Sequence, residues 1–182
     1  MDTTIISHIR QSDGAIQSNE EHQLGVAQRA KSFAMNFNCG DIAYVVGLLH
    51  DKGKEQVQWQ KYIRGIISNG PNHAYVGACI ARKQYPQLAS LIAQPIAGHH
   101  RGLYDYFDFI EETNHDIPDD VSLDEPFPCS FPKISNFERR DLHHFVRMLF
   151  SCLVDADSLD TEAFVNPEQA QFRGCRSTMK EL

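Results

Sequence analysis

The apolar run from Ile42 to Leu49 ends in His50 and Asp51, and this junction constrains the 182-residue chain more than any other stretch. Eight residues without a charge belong in a core, so the imidazole and carboxylate that follow emerge where water is scarce. Such groups need a partner, and a divalent cation satisfies both. Lys54 lies four residues beyond His50 and shares its face if the helix continues through Gly53.

Helical periods surround this junction. Val26, Ala30, Phe33 and Phe37 recur at spacings of four, three and four, which predicts a helix from His22. Gly40 is the expected residue just past its end, and Asp41 the cap of the next helix. A helix through Trp59, Tyr62, Ile63 and Ile66 follows, then a break at Ser68-Asn69-Gly70-Pro71. Asn72 is the expected cap of a helix carrying His73, Val76, Gly77 and Ile80. A further helix from about Gln87 to Gly98, with a kink expected at Pro95, delivers His99 and His100. Residues 111–137, rich in proline and acidic groups, read as a long loop. Leu142, Phe145, Val146, Leu149, Phe150 and Leu153 form the clearest stripe in the chain. Residues 1–21 read as irregular apart from a turn at Ser12-Asp13-Gly14, and no segment reads as a strand. The expected fold class is therefore all-α, one helical bundle over 1–182 with its motifs in about 20–162. Residues 163–182 are expected to begin a linker or a further helix.

Histidines and aspartates sit at corresponding places on these segments: His22, His50 and Asp51, His73, His99 and His100, and Asp155 or Asp157. Imidazole and carboxylate suit manganese, iron, cobalt, nickel or zinc, and bundles converge such ligands from facing helices. Seven donors exceed one tetrahedral site and match a two-metal site with positions left for water and substrate. At about 100° per residue, Asp157 follows the stripe that ends at Leu153, and Asp155 faces the other way. An unbroken helix selects Asp157; a break at Asp155 reverses the choice. His8, His115, His143 and His144 are expected to be solvated, and Arg101, beside the histidine pair, either touches substrate or is solvated.

The net charge of −7 excludes a broad phosphate-neutralising surface. Five scattered cysteines (Cys39, Cys79, Cys129, Cys152, Cys175) without a Cys-x-x-Cys pair suggest reduced thiols and a cytoplasmic setting. No run approaches the roughly 18 apolar residues of a membrane span.

The segments Gly47-Leu48-Leu49-His50-Asp51-Lys52-Gly53-Lys54, Asn72-His73-Ala74, Ala97-Gly98-His99-His100-Arg101-Gly102-Leu103 and Leu153-Val154-Asp155-Ala156-Asp157-Ser158-Leu159-Asp160-Thr161-Glu162, with Glu21-His22 ahead of them, resemble the HD superfamily of metal-dependent phosphohydrolases. More narrowly they resemble the HD nuclease domain of the type I CRISPR-associated helicase-nuclease. That resemblance implies two divalent ions, manganese, nickel, cobalt or iron, or else magnesium. It implies His22, His50, Asp51, His73, His99, His100 and Asp157 as ligands, Asp51 between the ions, and Lys54 at a phosphate oxygen or the attacking water. It also implies endonucleolytic and 3′→5′ exonucleolytic cleavage of single-stranded DNA, with a CRISPR effector complex and a helicase as partners. The chain carries no Gly-x-x-x-x-Gly-Lys-[Ser/Thr] phosphate loop. It is thus expected to be a stand-alone nuclease subunit or, as its polar ending Met179-Lys180-Glu181-Leu182 suggests, the front of a longer polypeptide. Two alternatives share the ligands: a nucleotide or cyclic-nucleotide phosphohydrolase, and a catalytically silent module stabilised by metal.

Overall fold

A computed structural model describes residues 4–132, 138 and 141–174. The expected features at Cys175 and at Met179 to Leu182 lie outside them. Two strands open the chain: β1 (Ile6–Ile9) pairs antiparallel with β2 (Ile16–Ser18), His8 opposite Gln17. This corrects the irregular reading of 1–21. Runs of four and three residues are too short to show alternation in sequence, and the register slips between Ile6 and His8. The turn is where Ser12-Asp13-Gly14 placed it, closed by an Arg10–Asp13 ion pair at 2.9 Å and by Gly14 at φ 73°.

Helix α1 (Asn19–Ala34) begins three residues before His22, because Ser18 and Glu21 form a capping box. The Glu21 N–H donates to Ser18 Oγ at 3.2 Å, and the Ser18 N–H donates to Glu21 Oε2 at 3.0 Å. After a short 3-10 turn the chain reverses at Asn38, φ 59°. The left-handed residue is thus an asparagine, whose short polar side chain tolerates it, and Gly40 instead starts α2 (Gly40–Leu49). Cys39 stands at the cap position without a side-chain bond, and Asp41 lies in the first turn, paired with Lys31 at 2.9 Å.

Ile42, Ala43, Val45 and Val46 of α2 are buried. A Cβ on Gly47 would lie 2.4 Å from the Ala27 Cα, so only glycine lets α1 and α2 pack this closely. Then come α3 (Val57–Ile63), α4 (Ala74–Gln84), α5 (Ala89–Gly98), which continues through Pro95, α6 (Tyr106–Glu112), α7 (Leu142–Val165) and α8 (Pro167–Gly174). Helix α1 packs on α2 and α7, and α5 on α4 and α7. Val26, Ile80, Ile92, Ile96, Leu149 and Leu153 fill the space between them. The fold is mostly helical, as expected.

The acidic loop after α6 is tied down: Lys52 Nζ meets Asp124 Oδ2 at 2.7 Å and Ser122 Oγ at 2.8 Å, and the Val57 N–H donates to Asp120 Oδ2 at 2.8 Å. No helix among the described residues is long and apolar enough to cross a membrane. Cys39, Cys79 and Cys152 are buried free thiols, and Cys129 is free and half-buried. Burial pushes the Cys39, Cys129 and Cys152 thiols up to about 11, so they stay protonated at neutral pH.

Candidate metal centre

Three helix ends and two helix interiors meet at Asp51. His22 comes from the first half of α1, and His50 directly follows α2. His73 directly precedes α4, where Asn72 Oδ1 accepts from the Ala74 N–H at 3.2 Å. Asn72 therefore supports the start of α4, although His73 occupies the cap position assigned to Asn72. His99 and His100 directly follow α5. Asp157 lies inside α7, which runs unbroken past it, so its carboxylate turns inward while Asp155 is exposed.

Two groups of ligand atoms share Asp51. The first is His22, His50 and Asp51, the second Asp51, His73, His99 and His100; within each, all ligand atoms lie within 4.8 Å of one another. Asp51 Oδ2 is 3.3 Å from the Nε2 atoms of His22 and His50. Its Oδ1 is 3.3 Å from His73 Nε2 and 3.6 Å from His99 Nε2. Asp157 Oδ1 approaches the first group, 3.2 Å from His22 Nε2 and 3.9 Å from His50 Nε2. His73 and His100 face each other Nε2 to Nε2 at 2.8 Å.

The buried atoms test whether these groups suit a cation. Nε2 of His22, His50 and His99 and Oδ1 of Asp51 are all buried without a hydrogen-bond partner. Each such group costs about 1–3 kcal/mol if left unsatisfied. Four of them gathered round Asp51, two in each group of ligand atoms, would be satisfied by bound cations. Nδ1 of His50 donates to the Gly47 carbonyl at 2.7 Å, and Nδ1 of His99 to the Ile96 carbonyl at 2.6 Å. Both rings are thereby fixed with Nε2 bare, which is the ligating tautomer. The residues fit a metal.

Charge follows the same pattern. Burial works against ionisation of Asp51, yet His50, Lys54 and His22 hold its carboxyl well below the usual range. Burial also opposes Asp157, yet His22, whose Nε2 lies 3.2 Å away, and His50 hold its carboxyl below the usual range. The His22 imidazole is desolvated, but Asp157, Asp160 and Asp51 push it up to about 10. His100 is pushed down to about 4 by burial and by its neighbours His99 and His73.

A protonated His22 must lose its proton to ligate. Loading the site at pH 7 is therefore expected to release about one proton from His22, with affinity falling about tenfold per unit as pH drops from 10 to 7. Calorimetric titration in buffers of different ionisation enthalpy checks this; binding without proton release would contradict it.

Lys54 reaches the centre by another route than the one expected. Helix α2 stops at Leu49, and a 3-10 turn over Lys52–Glu55 brings Lys54 Nζ to 2.6 Å from Asp51 Oδ2 and 3.1 Å from Ser7 Oγ. The ammonium also lies 5.2 Å over the Trp59 ring. Arg101 is exposed on the turn after His100. His143 and His144 are exposed, as is His115.

His8 is not free in solvent. It is half-buried, its ring 4.6 Å from that of His22, and burial, Lys54 and His22 push it down to about 4.

Asp160, to which the sequence reading assigns no role, supports His22. Its Oδ2 accepts from His22 Nδ1 at 3.0 Å and from Gln17 Nε2 at 2.9 Å. The signal was its place one helical turn after Asp157. Gly25 on α1 makes room, since a Cβ there would lie 2.2 Å from Asp160 Oδ1. Gly25→Ala is expected to displace Asp160, loosen His22 and lower metal affinity about 10- to 100-fold with the fold retained. Metal titration beside circular dichroism measures both.

A mostly helical bundle that gathers histidines and aspartates from separate helix ends round one buried carboxylate belongs to the metal-binding helical proteins. Residues 19–125 match the HD domain, more than half of the chain, and the chain belongs to that family, whose members are typically metal-dependent phosphohydrolases. No curated protein matches the chain.

Proposed function

We propose that the chain is an HD nuclease of type I CRISPR interference, hydrolysing phosphodiester bonds of single-stranded DNA with two divalent ions. The observation that carries this reading is an open cleft of about 530 Å³ whose lining includes Asp51, Lys54, His100 and Asp157. An open cleft suits a strand that passes through, whereas a nucleotide-sized substrate is usually enclosed.

His22, His50, Asp51 and Asp157 would hold one ion, and Asp51, His73, His99 and His100 the other. Bound there, divalent cations supply Lewis acidity, making a water more acidic and offsetting charge on the phosphate oxygens. Asp51 presents one oxygen to each group and so fixes their spacing. Lys54, buried and held by Asp51, Ser7 and Trp59, offers a pre-positioned positive charge to an anionic phosphate oxygen. Arg101, exposed on the turn after His100, would meet the DNA backbone in this reading. The partners in this reading are a CRISPR effector complex that presents the displaced strand and a helicase that feeds it, in the cytoplasm.

The test is cleavage by protein loaded separately with manganese, nickel, cobalt, iron or magnesium. End-labelled single-stranded DNA, duplex DNA, nucleotides and cyclic nucleotides serve as substrates. Metal-dependent cutting of the single strand supports the proposal. Turnover confined to nucleotides would replace it with the small-molecule phosphohydrolase, and bound metal without turnover of any substrate with the silent module.

A further inference from the structure

The β1–β2 hairpin, which precedes the residues matching the HD family, brings one histidine to the cleft. His8 lines it together with Asp51, Lys54, His100 and Asp157. Its hydrogen bonds fix which nitrogen is bare. The Asp160 carboxylate can only accept, so Gln17 must turn its Nε2 towards it, at 2.9 Å. Gln17 Oε1 then faces His8 Nδ1, also at 2.9 Å, and Nδ1 must carry the hydrogen. His8 Nε2 is left with a lone pair and has no hydrogen-bond partner among the described residues.

We propose that His8 is a further catalytic residue, which through Nε2 accepts a hydrogen bond from the water that attacks the phosphodiester. The inference rests on the phosphodiesterase reading above. A bare nitrogen repels the anionic phosphate oxygens, which Lys54 is placed to receive, and attracts an O–H donor. The attacking water is the one O–H donor that every phosphodiester hydrolysis brings to the reacting phosphorus. In that reaction the water oxygen bonds to phosphorus and the bond from phosphorus to the leaving oxygen breaks. One water proton ends on the leaving oxygen, and the other stays on the new phosphate until it dissociates. His8 holds one of these O–H groups and so aims an oxygen lone pair at phosphorus. The chain Asp160–Gln17–His8 also ties this water to the carboxylate that orients His22.

The test compares His8→Asn, His8→Phe and His8→Gln in manganese-loaded protein, on bis(para-nitrophenyl) phosphate and on single-stranded DNA. Asparagine keeps a donor for Gln17 but loses the Nε2 position, phenylalanine keeps the ring against His22, and glutamine keeps an acceptor near Nε2. The asparagine and phenylalanine variants are expected to lower kcat about a hundredfold on both substrates, with KM, metal content and melting temperature near wild type. Glutamine is expected to recover part of the loss. Unchanged kcat overturns the proposal. Loss of metal does so too, because it would mark a purely structural role, as does an effect confined to KM for DNA, which would mark contact with the strand. Nitrogen NMR of the zinc-loaded chain reads the tautomer directly, and hydrogen on His8 Nε2 also overturns the proposal. If the wild type hydrolyses the small diester but not DNA, the DNA reading alone falls and His8 is judged on the diester. Turnover of neither overturns both.

Discussion

On the function proposed above, Asp51→Ala is expected to abolish metal-dependent phosphodiester cleavage, with kcat/KM falling at least about 10³-fold, and to lose both ions on dialysis. Among the described residues, no other side chain supplies atoms to both groups of ligands. Removing it takes one oxygen 3.3 Å from His22 and His50 and another 3.3 Å from His73. Losing a single pre-positioned electrostatic group typically costs about 10²–10³ in rate, and here two are lost with one residue. Lys54 would also lose the carboxylate 2.6 Å from its ammonium and be released from its place in the centre. The histidines remain, so some metal is retained at high concentration. The decisive measurements are metal content after dialysis and cleavage rate in the same preparation. A variant that keeps its ions and cuts at more than a tenth of the wild-type rate would remove Asp51 from the centre of the site.

Gly77→Ala is expected to lower stability more than any other exchange of one glycine for one methyl group considered for this fold. A Cβ at Gly77 would lie 1.9 Å from the Leu49 carbonyl oxygen, an atom of the backbone that leads directly into His50, and 3.1 Å from Ile96 Cγ2. Alanine gains about 1 kcal/mol in helix propensity. Forcing α4 away from α2 costs more, about 3 kcal/mol or above, because a backbone carbonyl cannot rotate aside as a side chain does. The net loss of about 2 kcal/mol corresponds to a fall in Tm of roughly 4–8 °C for a chain of this size. Gly65→Ala is the matched control. Gly65 has φ 71° but nothing within 4 Å of a Cβ, so only about 1 kcal/mol of backbone strain is expected. Thermal melts of the two variants side by side decide the matter. Equal melting temperatures would mean that α2 and α4 can slide apart freely.

Legibility in the sequence followed the strength of local signals. The helices of the core are readable because their apolar residues recur at helical spacing, and α7 is long enough for its facing side to be worked out, whereas the seven-residue α6 carries no such period. Helical geometry makes the choice between Asp157 and Asp155 depend on whether the helix is continuous, and α7 runs unbroken, with Asp157 towards His22 and Asp155 exposed. The start of α1 was misread because attention to apolar spacing passed over the Ser18 and Glu21 pair, whose signal is polar. The strands were invisible for a different reason. Three or four residues carry too little alternation, and what holds them is remote: Gln60 on α3 donates to the Ile6 carbonyl at 2.9 Å and accepts the Ile6 N–H at 3.0 Å. With the hairpin missing, His8 had no element to place it, and so it was assigned to solvent. The role of Asp160 was hidden similarly, since it depends on a space left by Gly25 on a helix distant in sequence.

The imidazole of His22 is held by a carboxylate 138 residues further along the chain. At a synthesis rate of about 5–20 residues per second, roughly 7–28 s separate the two on the ribosome. During that interval the emerging chain has four of its five ligand-bearing segments but lacks the helix that locks the first of them. The nascent polypeptide is thus built with its metal centre incomplete, and the timing of competence is set by translation of α7.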